Sequence, residues 1–265
     1  MTGPELLRDL DRETGWTLMV EGAEQSYVDI EDPTHLEFEY MQHMALVVDA
    51  VLPGPAPLHA LHLGGGACTL ARWISATRPG SMQTVVEMSA EIIDAVRPLG
   101  PVPHTEVVLG EAFDALRLRD DASDDLVIWD LYDGPRVVTS SLTLEAIGHM
   151  QRVLKPGGMV LLNVSDAVPF EVVRPVVAAM RVWLADVALL AEPSTLRGRR
   201  SGNCVLIGGT KPLPILTLRR LAAAAPVRGR VVAGTALDTF VGDAVPATDD
   251  QPLPAPDESR GRGFL

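Results

Sequence analysis

Cysteine is nearly missing from this chain. Cys68 and Cys204 are the only two in 265 residues, too few for a disulfide framework, and no metal-ligand spacing accompanies them. Basic residues are outnumbered, 22 Lys and Arg against 35 Asp and Glu. The net charge of −13 argues against a phosphate-backbone partner and suits a cationic small molecule. No apolar run approaches the roughly 18 residues of a membrane helix. The opening Met-Thr-Gly-Pro-Glu-Leu-Leu-Arg has no basic stretch followed by an apolar one, so no signal peptide is expected. These absences predict a reduced, cytoplasmic protein without metal, membrane or nucleic-acid partners. Apolar residues make up 47%, enough for a sizeable core in one large domain with a small appendage.

The pattern along the chain predicts an α/β protein. Residues 1–15 read as a short polar helix. Trp16–Val20 and Gln25–Ile30 alternate around Glu21-Gly22-Ala23, a β-hairpin signature. Phe38–Leu52 has one apolar face and stops at Pro53-Gly54-Pro55, as a helix would. Strands are then expected at Leu58–Leu63, Gln83–Glu87, Glu106–Leu109, Asp125–Asp130, Met159–Val164, Val187–Glu192 and Cys204–Gly208. Helices are expected at Ala67–Ala76, Ala90–Arg97, Glu111–Leu118, Leu142–Leu154, Phe170–Leu184 and Leu216–Ala224. Lys155-Pro156-Gly157-Gly158 reads as a turn. This alternation implies a doubly wound, mostly parallel, Rossmann-like sheet over residues 53–265, after an N-terminal hairpin region over 1–52. The tail from Pro246, rich in Pro, Asp and Gly, reads as loose at its end.

Two loops carry the chemistry. Leu61-His62-Leu63 runs into Gly64-Gly65-Gly66, which is either a tight structural turn or a loop that lies against a ligand. Glu87 ends the next strand about twenty residues on, where an acid accepts hydrogen bonds from ribose hydroxyls. Gly110-Glu111-Ala112 follows the third strand, where Glu111 either meets an adenine amine or caps a helix. Asp130-Leu131-Tyr132-Asp133-Gly134-Pro135 follows the apolar run Leu126–Trp129. Asp-Gly-Pro is turn chemistry, but that turn does not account for Asp130, a carboxylate able to hold an amine and take its proton. His43, His62 and His149 lack metal spacing and read as satisfied structural residues, Cys68 as a packed side chain. Arg197, Arg199 and Arg200 read as a solvated loop.

Taken together, Gln25-Ser26, Glu37-Phe38-Glu39-Tyr40, the three glycines, Glu87, Gly110-Glu111-Ala112 and Asp130 through Pro135 resemble the spermidine synthase family of polyamine aminopropyltransferases. The resemblance spans about Gln25 to Gly209. It implies a class I methyltransferase-type fold, a homodimer and an S-adenosyl donor, decarboxylated or not, with no metal. It places Asp130 as the catalytic base. Tyr40, Tyr132 and Asp133 would face the amine. Gln25, Gln42, Gly64, Gly65, Gly66, Glu87, Glu111 and Ala112 would face the donor. The Tyr132–Ser141 loop would close as a lid. Ala67 stands where the family has the Asp that holds the donor's aminopropyl ammonium, and Met41-Gln42 replaces its His/Gln-Glu pair. An Ala67→Asp change would then be expected to favour the decarboxylated donor. Three functions follow: an aminopropyltransferase-like enzyme, an S-adenosylmethionine-dependent methyltransferase, or a non-catalytic adenosyl-binding protein.

Overall fold

The computed structural model describes residues 3–134 and 136–254. A three-stranded antiparallel sheet comes first: β1 (Glu5–Arg8), β2 (Gly15–Val20) and β3 (Ala23–Asp29). Then follow α1 (Glu39–Val51), β4 (His59–Leu63), α2 (Thr69–Thr77), β5 (Met82–Glu87), α3 (Ala90–Val96), β6 (Thr105–Leu109), α4 (Ala112–Leu118) and β7 (Asp124–Trp129). A small hairpin, β8 (Tyr132–Asp133) and β9 (Arg136–Val137), precedes α5 (Leu144–Val153), β10 (Leu154–Asp166), α6 (Val173–Trp183) and β11 (Asp186–Ala191). The chain continues through α7 (Pro193–Leu196), β12 (Gly202–Gly209), α8 (Ile215–Ala224), β13 (Arg230–Ala233) and α9 (Thr235–Val241).

Eight strands form the large sheet, in the order β13-β11-β12-β10-β7-β4-β5-β6. Strands β10, β7, β4, β5 and β6 are parallel, while β12 runs antiparallel to both β10 and β11. The parallel strands are apolar on both sides because helices cover both faces. Leu61, Leu63, Val127, Trp129 and Leu162 pack beneath α5 and α6, and Ala60, Leu126, Ile128 and Leu161 pack beneath α1, α2 and α8. Alternation of side chains along each strand splits the core this way.

Strand order reverses at β4: the chain moves out through β5 and β6, then returns to β7 on β4's other side. A reversal leaves a crevice at the carboxyl ends of the strands, where such sheets bind ligands. The loops after β4 and β7 therefore meet, and the Asp130 amide bonds to Leu63 O at 2.9 Å.

The expected polar helix in residues 1–15 is instead strand β1, paired with β2 through Leu6↔Leu18 and Leu7↔Thr17. The pairing partner lies in another segment, which a weak local propensity cannot register. Leu6 packs beside Leu18, Val28 and Ala67. Lys155–Gly158 lies within the bounds of β10, at a shift of register against β7 between Leu154 and Met159. Strand β13, helix α9 and the β8–β9 hairpin are elements beyond those the pattern marked.

Candidate functional site

The crevice is one cavity of about 1070 Å³, at the upper end of the roughly 300–1,000 Å³ usual for small-molecule sites. Gln25, Tyr40, Gly64, Gly65, Gly66, Glu87, Glu111, Ala112, Asp130 and Tyr132 all line it.

At one end the glycine loop is held by side chains from other strands. Glu87 Oε2 accepts from the amides of Gly65 at 3.0 Å and Gly66 at 3.2 Å, and its Oε1 accepts from Ser89 N at 2.9 Å. A carboxylate thus fixes the loop while facing the cavity. Close approach is why these positions are glycine. A Cβ on Gly64 would lie 2.3 Å from Asp130 O, and one on Gly66 would lie 2.3 Å from Ser26 Oγ. Gly64 and Gly66 also have φ of +99° and +47°. Ser26 Oγ accepts from Ala67 N at 3.2 Å, and Gln25 Nε2 donates to Gly134 O at 2.7 Å, so β3 closes over both loops. Glu111 caps α4 through bonds from Phe113 N at 2.7 Å and Asp114 N at 3.2 Å, and it also lines the cavity.

Asp130 forms the next part of the wall. Tyr40 Oη donates to its Oδ2 at 3.2 Å, and Asn163 Nδ2 donates to its Oδ1 at 2.9 Å. Burial pushes the carboxyl up to about 6, against the lowering pull of those two bonds. Burial and the nearby Asp130 charge hold the Tyr40 phenol well above its usual value, so it stays a neutral donor. The Tyr132 hydroxyl accepts from Ser165 N at 3.0 Å, which pins the start of the β8–β9 hairpin over β10. The loop's far side is anchored by residues 249–254. Thr143 Oγ1 donates to Asp249 Oδ1 at 2.6 Å, and Thr139 Oγ1 donates to Pro254 O at 3.1 Å.

The opposite end of the cavity holds a cluster that the sequence reading did not bring together. Glu39 on α1 and Glu192 after β11 share a hydrogen bond, which together with burial pushes Glu39 up to about 7, while the same bond, with those from Arg200 and Ser194, holds Glu192 below its usual value against the opposing effect of burial. Arg200 pairs with Glu192 and reaches Glu39 at 3.5 Å. Arg200 therefore belongs to the cavity wall and is not merely solvated loop. The readable signal was Glu192 itself, an acid ending a strand at the same sheet edge as Glu87. For Asn163 it was a polar residue inside the apolar run Met159–Val164.

Other expected residues are not brought to the cavity. Gln42 turns away, its Nε2 donating to Leu36 O at 2.8 Å. Asp133 is exposed on β8, outside the lining, and Pro135 lies outside the described residues. Ala67 is fully buried against Leu18, Val28 and Leu99, beneath the hairpin. A carboxylate there would enter an apolar cluster, which overturns the expectation that Ala67→Asp would tune the donor. His62 is satisfied by Gln83 Oε1 at 2.9 Å, and burial lowers it to about 4. His43 bonds to Val227 O at 3.2 Å. Among the described residues there is no cluster of metal-ligating side chains and no helix long and apolar enough to cross a membrane.

No family model matches the chain. Over 168 residues it is 28% identical to polyamine aminopropyltransferase 1 of Hyperthermus butylicus, covering 59% of this chain and 55% of that protein. The chain thus spans about half the length of the curated relatives it matches. A crystal structure described as a probable spermidine synthase from Corynebacterium glutamicum shares its fold with a TM-score of 0.87 and 28% identity. That match covers 94% of this chain and 95% of the other. Human methyltransferase-like protein 13, in complex with SAH, shares the fold at a TM-score of 0.57 and 16% identity, covering 77% and 92%. Fold and crevice together define an α/β protein of the class I methyltransferase type. Within that class the chain is similar to spermidine synthases and polyamine aminopropyltransferases, at 25–28% identity to the relatives it matches.

Proposed function

We propose that this protein is a transferase that moves an aminopropyl, or related alkyl, group from an S-adenosyl donor to an amine acceptor. The observation that carries the reading is Asp130, a carboxylate held by Tyr40 and Asn163 beside the glycine loop in one crevice. The adenosyl group lies along Gly64–Gly66, with its ribose hydroxyls on the remaining lone pairs of Glu87 and its adenine beside Glu111 and Ala112. The acceptor arrives as an ammonium between Tyr40 and Tyr132 and gives one proton to Asp130. The nitrogen lone pair then attacks the carbon next to sulfur. The new C–N bond takes that carbon, the C–S electrons stay on sulfur, and the sulfonium leaves as a neutral thioether, methylthioadenosine. The site lowers the barrier by aligning the two reactants and excluding water. An Asp130 proton affinity near 6 leaves it ionised at neutral pH yet basic enough to accept a proton.

Methyl transfer from S-adenosylmethionine is the alternative reading. Ala67 is buried outside the cavity lining, so this position supplies no acid that would select a donor ammonium over a donor carboxylate. By family resemblance the protein works as a cytoplasmic homodimer. Calorimetry with both donors, methylthioadenosine and S-adenosylhomocysteine, followed by product analysis with a panel of amines, tests the proposal. Methylthioadenosine formation supports it. S-adenosylhomocysteine as the only nucleoside product moves the methyltransferase reading ahead, and binding without turnover leaves an adenosyl-binding protein.

A further inference from the structure

The side-chain amide of Asn163 is half used. Nδ2 donates to Asp130 Oδ1 at 2.9 Å, while Oδ1 is buried and has no partner. The residue is 2% exposed and lines the cavity. Buried acceptors are rarely left unpaired, so the idle oxygen wants an explanation. Its geometry supplies one. An ionised carboxylate only accepts, so it draws the NH₂ side of the amide. A protonated Asp130 would instead carry an O–H, for which the buried Asn163 Oδ1 is an unused acceptor next to it. The amide can turn about χ2, a broad torsion, without moving the strand.

We propose that Asn163 is a positioning residue that serves Asp130 in both protonation states, donating from Nδ2 to the carboxylate and, after a half-turn, accepting the carboxyl proton on Oδ1. The proposal rests on Asp130 being the base of the proposed transfer. No bond in the amide is made or broken. The proton that Asp130 takes from the ammonium is held against Asn163 Oδ1 until product leaves and the proton returns to water. Burial already brings the balance point between the two states up to about pH 6. The titratable groups facing Asp130 are Tyr40 from α1 and Tyr132 from β8, both held neutral by burial. Glu87, Glu39, Glu192 and Arg200 stand further along the same cavity. Tyr40 bonds the other carboxylate oxygen, so it does not answer for the idle amide oxygen.

The chain contains only two asparagines, Asn163 and Asn203, so asparagine-labelled protein gives a simple side-chain amide spectrum, assigned with Asn203→Ser. A pH titration of the unliganded protein is the test. The expected result is that the Asn163 NH₂ protons lose their downfield shift as pH falls, while the Cγ carbonyl moves downfield on the same curve. Asp130→Asn should abolish that transition. NH₂ protons that stay bonded on both sides of the Asp130 titration, or a flip that persists in Asp130→Asn, would overturn the proposal. This readout needs no turnover, so it stands or falls separately from the assigned reaction. In an active enzyme, Asn163→Leu should lower kcat roughly tenfold to a hundredfold, the span of one charge-assisted hydrogen bond, with methylthioadenosine affinity unchanged. A folded Asn163→Leu protein with wild-type kcat would also sink it.

Discussion

The two ends of the cavity are built on different principles. At the glycine-loop end, backbone amides and carboxylates already satisfy one another: Glu87 on Gly65 and Gly66, Glu111 on α4, Ser26 on Ala67. That end is pre-shaped, and a ligand only has to fit it. At the other end, ionisable side chains stand close together with their proton affinities displaced, Asp130 to about 6 and Glu39 to about 7. Displaced proton affinities in a cleft are commonly found where chemistry takes place. In the proposed reading the first end recognises the donor by shape, and the second the acceptor by charge and proton.

The sharpest way to break that contrast is at Asp130. Asp130→Asn keeps the shape and removes the base, so turnover should fall about 10²–10⁴-fold with nucleoside affinity nearly unchanged. The same variant should be more thermally stable above about pH 6, because the fold favours the neutral carboxyl. That gain should disappear as pH falls through about 6 towards the ordinary carboxyl value, as melting curves at several pH values would show. Wild-type activity should fall over the same window as Asp130 protonates.

Ala67→Asp comes next in size. It places an unpaired carboxylate beside Leu18, Val28 and Leu99, and should destabilise the fold by about 3–5 kcal/mol in chemical denaturation. An unchanged midpoint with a switched donor preference would show that the position faces the donor after all.

Glu87→Ala should loosen the glycine loop and weaken methylthioadenosine by roughly ten- to a hundredfold in calorimetry, the value of a charge-assisted bond of about 1.5–3 kcal/mol. Equal affinity in the variant would remove Glu87 from nucleoside recognition.

The smallest effect is expected at Glu39. As pH rises through about 7 the Glu39–Glu192 pair loses its shared proton, and the cavity becomes more attractive to a cation. The acceptor KM should therefore fall across that range, and Glu39→Gln should flatten the change. The pair is partly exposed, so roughly a two- to fivefold difference is expected.

Much of the donor end was legible in the chain. Its glycines, Glu87 and Glu111 each sit at the end of an apolar run, so local pattern delivers them to one sheet edge. The other end was legible only at Tyr40, Asp130 and Tyr132. Asn163, Glu192 and Arg200 come from β10, the end of β11 and the start of the β12 approach, and nothing local says they converge. Asp133 and Gln42 carried suitable side chains yet face elsewhere, because a two-residue strand and a helix turn decide direction. The N-terminal strand escaped for the same reason, since its partner β2 is a separate segment.

By itself the sequence determined the alternation of strands and helices, the two-sided burial of the parallel strands and the glycines at the first loop. These follow from periodicity and from backbone conformations open to few residues. The tertiary structure alone decided that Ala67 turns into the hairpin core, that Asn163 grips Asp130, and that Glu39 and Glu192 share a proton. Direction, burial and proton affinity belong to the packed environment, and that environment is assembled from residues far apart along the chain.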